Sequence, residues 1–600
     1  MNMTFWKTFW ASLLATVLSG LIVVGIFFLI LRATITSFEK IFEAKEFVVE
    51  DNSILHMKLD GQIGDYSNAE FDKSTFQINQ QFGMMEILDG LKIAKEDDRI
   101  KGLFIECDNI STGMATVKEI RDGIEDFKSS GKFVVAYSDN YSTKSYYLSS
   151  AADELYVFPS GMINFLGLGA ELMFVKGTLE KLDVEMQIIR GSNNKFKSAV
   201  EPLMYTEMSE ANRKQTQKYL DALWAEILNG VSESRGVDKA QLETIADSVF
   251  IRKSGDAVNY NMADGSMYYD EVLDLLESKL DTADGNEMHL VSFSKYASRL
   301  VDKERVLKKL DPKNIAVIFA EGDIVEGSVG HGSIGGTSTS KMIREAREDE
   351  DIKAIVLRVN SPGGSALASD IIWREVVLTK EAGKPIVVSM GNLAASGGYY
   401  ISCAADKIYA QPNTITGSIG VFGIIPYTGK MFENKFGVTF DRVQTNEHSV
   451  LSLNKKLSEA ELKIVQGEVD DIYDDFITKV AEGRGMTKEM VDSIGQGRVW
   501  AGSDAIELGL VDEFGGIYDA IEYAAGEANI ATDEIEIQFY PKKDKEDLLN
   551  FLHQMEDLDN ASITEKSALE TQVREIYSYL TAIGAKKSIQ AKMPYLLWIE

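Results

Sequence analysis

The sequence predicts a tandem duplicated α/β fold behind an N-terminal apolar segment, and three observations carry that reading. Blocks of residues recur along the chain at one nearly fixed spacing. Short β-branched runs alternate with amphipathic stretches, the pattern of strands feeding helices over a buried, largely parallel sheet. A single uncharged run near the start is long enough to cross a bilayer.

In chain order, residues 9–31 are 23 uncharged, mostly apolar residues between Lys7 and Arg32. As a helix rising 1.5 Å per residue, they span the roughly 30 Å hydrocarbon layer. A cleaved signal peptide has a shorter apolar region of ~7–15 residues and a small-residue cleavage site. Residues 1–45 are therefore read as an uncleaved membrane anchor. Lys7 flanks it on one side and Arg32, Lys40 and Lys45 on the other, so charge sets no orientation.

Residues 46–300 form the first copy of the repeat and residues 301–540 the second. Asp98-Arg99-Ile100-Lys101-Gly102 resembles Glu350-Asp351-Ile352-Lys353-Ala354, displaced by 252 (353 − 101). Gly131-Lys132-Phe133-Val134-Val135 matches Gly383-Lys384-Pro385-Ile386-Val387 at the same displacement. Tyr146-Tyr147-Leu148-Ser149-Ser150-Ala151-Ala152-Asp153 matches Tyr399-Tyr400-Ile401-Ser402-Cys403-Ala404-Ala405-Asp406, displaced by 253 (399 − 146). In the second copy, strands are expected at 315–319, 352–359, 386–389 and 407–410, with a helix over 366–378. Residues 541–600 read as a helical, amphipathic tail (Leu548, Leu549, Leu552, Met555) with no chemistry assigned.

Composition narrows the function. There are 62 basic against 93 acidic residues, a net charge of −31, which opposes nucleic-acid binding because that needs a cationic surface. Two cysteines, Cys107 and Cys403, make no disulfide framework. Five scattered histidines without HExxH or CxxC spacing suggest no metal site, and no cofactor motif is present.

Two junctions in the second copy carry chemistry. Ser361-Pro362-Gly363-Gly364-Ser365 lies between a strand and a helix, where paired glycines can turn backbone N–H groups toward an oxyanion. A tight turn is the plain alternative. Ala394-Ala395-Ser396-Gly397-Gly398-Tyr399 repeats the strand-to-helix context. Ser396 there stands at the sheet's carboxyl edge beside a helix N-terminus, with Gly397 N–H as a second donor. Close helix packing is the rival reading.

A nucleophilic serine needs a base, and no histidine sits in either motif. A lysine can serve if its pKa falls from about 10.4 toward 7. Lys197, between Phe196 and Ser198-Ala199-Val200, has apolar neighbours, and Glu201 is expected to face away from it. The copies make Lys197 more than a surface lysine. Thr143 and Ser111-Thr112 stand in the first copy where Ser396 and Gly363-Gly364 stand in the second. The second copy, around Thr445-Asn446-Glu447-His448, lacks a matching lysine. These complementary losses predict one composite site, with Lys197 reaching Ser396 between copies.

Lys197-Ser198-Ala199-Val200-Glu201-Pro202, Asn360-Ser361-Pro362-Gly363-Gly364-Ser365 and Ala394-Ala395-Ser396-Gly397-Gly398-Tyr399-Tyr400 resemble the long, duplicated form of the signal peptide peptidase A (protease IV) family. The resemblance covers most of the chain from the anchor to about Tyr540. It implies tandem duplicated ClpP/crotonase-like domains behind an N-terminal transmembrane helix, and a Ser/Lys-dyad serine endopeptidase. Ser396 matches the family's nucleophile, Lys197 its general base, and Ser418 in Thr416-Gly417-Ser418-Ile419-Gly420 a serine that orients the lysine. It further implies a homotetramer on the extracytoplasmic side of the bacterial cytoplasmic membrane, digesting cleaved signal peptides. Residues 421–427 are a candidate pocket lining or ordinary core. Two rival functions are an acyl-CoA enzyme on the same fold and a catalytically inactive membrane scaffold.

Overall fold

A computed structural model describes residues 49–59, 61–66, 69–72, 77–80, 83–280, 288–299, 314–330, 332–541 and 590–592. The expected span at 9–31 and nearly all of the expected helical tail lie outside these residues. Among the described residues, no helix is long and apolar enough to cross a membrane.

The first copy is built on strands β1 (Ser53–Lys58), β2 (Ile100–Glu106), β3 (Phe133–Tyr141) and β4 (Glu154–Ile163). It adds β5 (Glu185–Arg190), β6 (Gly265–Ser266) and β7 (His289–Ser292). Its sheet runs β6-β4-β3-β2-β1-β7, every pairing parallel. The second copy supplies β8 (Ile315–Glu321), β9 (Asp323–Val325), β10 (Ser333–Gly335), β11 (Ala354–Ser361), β12 (Gly363–Ser365) and β13 (Ile386–Ala395). It continues with β14 (Lys407–Ala410), β15 (Ile415–Gly417), β16 (Phe422–Tyr427), β17 (Val499–Ala501), β18 (Glu513–Phe514) and β19 (Ile537–Tyr540). The second sheet runs β17-β15-β13-β11-β8-β19, with β14 joining β13 to β18. A third sheet, β10-β9-β12-β20-β16-β5, mixes both copies and includes β20 (Gln590–Lys592). Where the sequence predicts a helical tail, its described part at 590–592 is therefore extended.

The repeat is visible in register and in side-chain bonds. Leu103 opposes Val134 and Ile355 opposes Ile386, both residues displaced by 252 (355 − 103, 386 − 134). Lys132 Nζ donates to the carbonyls of Ala94 and Asp97, and Lys384 Nζ to those of Ala346 and Asp349. Asp153 accepts from Val134 N–H and Asp406 from Ile386 N–H, each closing the start of a central strand. The matched Lys and Asp residues thus satisfy loop carbonyls and strand-end amides that would otherwise be left orphaned.

The copies are fused face to face. One apolar core runs from Leu55, Ile105 and Val134 of the first sheet into Ile315, Val317, Val356 and Val387 of the second. A buried ion cluster crosses the same boundary. Arg358 Nη2 lies 2.8 Å from Asp65 Oδ1 and 2.7 Å from Glu119 Oε1, all three side chains 3% exposed or less. Arg358 also donates to Ser389 Oγ on β13. Asn392 of β13 exchanges two hydrogen bonds with Thr116, accepting from its N–H at 2.9 Å and donating to Oγ1 at 2.8 Å. The strand that ends at Ser396 is therefore anchored in both copies.

Candidate active site

Ser396 joins β13 to a short helix, Gly397–Ser402, and its backbone is strained, with φ 57° and ψ −115°. Positive φ is costly for a residue with a Cβ, of order 1–3 kcal/mol, and persists only where the surroundings impose it. Here Ser396 N–H is held by Gly417 O at 2.8 Å, and Ser396 O caps the helix by accepting from Tyr400 N–H at 2.9 Å. Gly398 is required by space: a Cβ there would sit 2.8 Å from the Ser361 carbonyl oxygen.

Lys197 comes from the first copy, on the loop after β5. β5 pairs antiparallel with β16 of the second copy, Arg190 opposite Phe422, which carries the loop across the boundary. Gly191 N–H then bonds Val421 O, and Phe196 N–H bonds Gln496 O. Gly497, at φ 77°, lies so close that a Cβ would fall 2.6 Å from Lys197 Cβ. Gln215 donates to Phe196 O at 3.1 Å and to Ser198 Oγ at 2.7 Å, pinning the loop from the other side.

These constraints bring the expected residues together. Lys197 Nζ lies 2.7 Å from Ser396 Oγ and 3.0 Å from both Ser418 Oγ and the Ser418 carbonyl oxygen. Lys197, Ser396 and Ser418 are each 0% exposed. Ala199, Val200 and Phe422 pack together beside the lysine, and its Nζ sits 6.0 Å from the Phe422 ring centre. Burial, with no carboxylate to compensate it, pushes the Lys197 pKa well below its ordinary value.

Glu201 is turned from the lysine, but not by facing solvent. It is buried, and its carboxylate accepts from Ser209 Oγ at 2.6 Å, Ser209 N–H at 3.1 Å and Asn212 Nδ2 at 2.9 Å. It therefore serves the N-terminus of the helix Glu210–Arg235, where a negative charge is stabilising.

The glycine turn differs in detail from expectation. Gly363 N–H donates to Ser361 Oγ at 3.1 Å, and Ser361 Oγ donates in turn to Gly322 O at 2.7 Å. That amide is committed within its own turn, and Gly364 pairs with Ile324 of β9 and Ala591 of β20. Gly397 opens its helix, and its N–H has no acceptor within the helix. Sequence reasoning missed Ser361, Gln215 and Gly497. Of these, only the Gly495-Gln496-Gly497 run carried a local signal.

Comparison with known proteins decides the family. The model for Peptidase family S49 matches twice, at residues 126–283 and 379–531, the first stretch holding Lys197 and the second Ser396 and Ser418. The chain belongs to Peptidase family S49. It is similar to "Protease 4" of Haemophilus influenzae, 35% identical over 84% of this chain and 83% of the relative. "Protease 4" of Salmonella typhi is 36% identical over 74% of this chain and 72% of its own length. A shorter relative, "Putative signal peptide peptidase SppA" of Enterococcus faecium, is 38% identical over 33% of this chain and 57% of its own. As an S49 member with two copies of the domain, the chain is a serine peptidase.

Proposed function

We propose that Ser396 and Lys197 are the nucleophile and general base of a Ser/Lys dyad, contributed by different copies of the S49 domain, and that Ser418 orients the lysine. The observation carrying this reading is the 2.7 Å contact between Lys197 Nζ and Ser396 Oγ, both fully buried.

A neutral amine fits the three oxygens around Lys197 Nζ. Lys–NH₂ has two N–H donors and one lone pair. The Ser418 carbonyl can only accept, so it takes one N–H. Ser418 Oγ lies 3.3 Å from Gly497 O, to which its own hydrogen points, leaving its lone pair for the second N–H. The amine lone pair is then left for the Ser396 hydroxyl hydrogen. Lys197 removes that proton as Ser396 Oγ attacks the scissile carbonyl. Gly364 and Gly397 N–H groups meet the oxyanion, a donor class worth roughly 2.7–4 kcal/mol each. The ammonium so formed protonates the leaving amine, and water hydrolyses the acyl ester with Lys197 again as base.

Substrates on this reading are extended peptides added to a sheet edge, where the backbone is satisfied by strand pairing. We assign cleaved signal peptides and other apolar peptides as the substrate class. The name of the Enterococcus relative and the apolar segment at 9–31 support this, since a tethered peptidase shares the bilayer with such peptides. The same reading gives a ClpP/crotonase-like fold, a homotetramer, and a cytoplasmic-membrane protein with its catalytic body on the extracytoplasmic side.

The test is hydrolysis of a quenched fluorescent peptide by the detergent-solubilised chain. Ser396→Ala should abolish turnover while far-UV circular dichroism stays unchanged, and chelators should have no effect. Turnover surviving Ser396→Ala would overturn the dyad.

A further inference from the structure

The loop that carries Lys197 crosses from the first copy into the second, and three consecutive residues receive it there. Gln496 O accepts from Phe196 N–H at 3.0 Å, and Gly497 packs against Lys197 Cβ. Gly497 O accepts from Ser418 Oγ at 3.3 Å, and Arg498 O accepts from Ser418 N–H at 2.6 Å. One tripeptide of the second copy therefore holds both Lys197 and the serine that touches it. Among the described residues, its backbone makes one hydrogen bond to the first-copy loop. The rest of the grip comes from side chains.

Arg498 supplies most of it. Its guanidinium carbon lies 5.0 Å from the Phe196 ring centre and 4.1 Å from that of Trp500. Trp500 is itself fixed: it is buried, stands on β17 opposite Thr416 of β15, and donates Nε1–H to Ile494 O at 2.9 Å. Charge pairing does not explain the arginine. Its Nε is buried without a hydrogen-bond partner, and Asp504, the carboxylate whose charge bears on it, is committed to Lys218 at 2.7 Å. A guanidinium lying on aromatic faces in place of a carboxylate is used for stacking, which its flat, weakly hydrated head suits. Gln215 closes the same junction, donating to Phe196 O at 3.1 Å and accepting from Val499 N–H at 3.3 Å. Phe196 directly precedes Lys197, so whatever fixes its ring fixes the origin of the lysine side chain.

We propose that Arg498 is a positioning residue for the general base: by stacking on Phe196 it clasps the Lys197 loop of the first copy to the segment of the second copy that holds Ser418. The inference rests on the dyad reading for what Lys197 does, and on ring stacking alone for how its loop is held. Without the clasp the Phe196 ring is released, water reaches Lys197 Nζ, and the desolvation that keeps the amine neutral is lost. The other charged groups at the clasp are Lys195, 5.2 Å from the Phe196 ring centre, and the Lys218–Asp504 pair beside Trp500. Lys197 Nζ itself faces the oxygens of Ser396 and Ser418. A pH profile of Ser396 reactivity therefore reads the amine, and loosening the clasp changes that profile while leaving substrate binding alone.

The test follows fluorophosphonate labelling of Ser396 from about pH 5 to about pH 10 in the full chain, Arg498→Ala, Phe196→Leu and the double variant. Arg498→Ala should move the midpoint of the profile upward by about one pH unit or more, slowing labelling about tenfold on the rising limb, with a near-native rate restored at high pH. For a quenched peptide at neutral pH, kcat should fall in step and KM should stay within about twofold. Phe196→Leu should shift the midpoint the same way, and the double variant should be no worse than the poorer single one, because both changes break one contact. A merely structural role would lower the labelling plateau at every pH and leave the midpoint in place. That result, or additive effects in the double variant, would overturn the inference. Should Arg498→Ala fail to fold, an unmoved midpoint in Phe196→Leu would overturn it equally. Failure of the dyad reading would look different: the native chain itself would not label, or would label without an ionisation below that of an ordinary lysine.

Discussion

The first copy meets the same strand-to-helix junction as the second and builds it in the ordinary way. There the helix Thr143–Ser149 is capped by Ser142, at φ −73°, whose side chain accepts from Ser145 N–H. Thr143, which matches Ser396, spends its hydroxyl on Asn164 O at 2.8 Å. Lys144 lies 3.2 Å from Thr112 O, in the turn that matches the glycine pair, and its pKa is lowered by burial. In the second copy the capping serine is Ser396 itself, at φ 57°, with no cap bond from its side chain. A single topology thus gives a relaxed cap in one place and, in the other, a strained serine whose hydroxyl meets Lys197 instead of the helix end. On the proposed dyad, reactivity lies in the backbone conformation at Ser396 and in the neighbouring base, and the base comes from the other copy.

Variants can break this contrast, and the largest effect belongs to the base. Lys197→Arg places there a cation that cannot become neutral, and kcat for a quenched peptide should fall by about 10³–10⁴ or more. Next is Gly364→Thr, which imports the first copy's residue. A Cβ there would collide with the Ile324 backbone carbonyl, and kcat should drop on the order of 10²–10³, as for loss of an oxyanion donor. Ser418→Ala frees one N–H of Lys197 to turn its lone pair elsewhere. A loss of roughly tenfold to a hundredfold in kcat, with KM nearly unchanged, is expected.

Stability should respond in the opposite sense at the lysine. Burial lowers the folded-state pKa of Lys197 below 10.5. Between the folded and unfolded pKa values the unfolded chain binds the extra proton, so stability rises with pH through that window. Lys197→Met should therefore raise Tm at pH 7, measured by calorimetry, with the gain shrinking as pH climbs toward 10.5. The smallest effect sharpens the comparison from the other side. Lys144→Ala removes the half-buried amine of the first copy and should leave kcat/KM within about twofold, because that junction carries no chemistry.

Much of this was legible in the sequence, for physical reasons. The duplication could be read because Lys132 and Lys384, and Asp153 and Asp406, make the same bonds to loop carbonyls and strand amides, so each copy retained them. The meeting of Lys197 and Ser396 could be inferred because each copy lacks what the other holds. The position of Glu201 was only half legible. That it avoids the lysine follows from charge, whereas its burial depends on Ser209 and the helix it caps, a tertiary matter. Ser361 was missed because its role is one hydrogen bond across a turn, which leaves no pattern in spacing. Ser418 offered no signal beyond the family resemblance, since its φ of 49° and its contact with Lys197 arise only after the copies pack. The strand at 590–592 was invisible because its partners, β12 and β16, lie far upstream.

The most direct test of the central claim is the pH dependence of Ser396 labelling by a fluorophosphonate, compared between the native chain and Lys197→Ala. Labelling of the native chain should follow one ionisation well below that of an ordinary lysine, and should fall to background in Lys197→Ala at pH 7. Labelling of Lys197→Ala at the native rate, with the native pH profile, would contradict it.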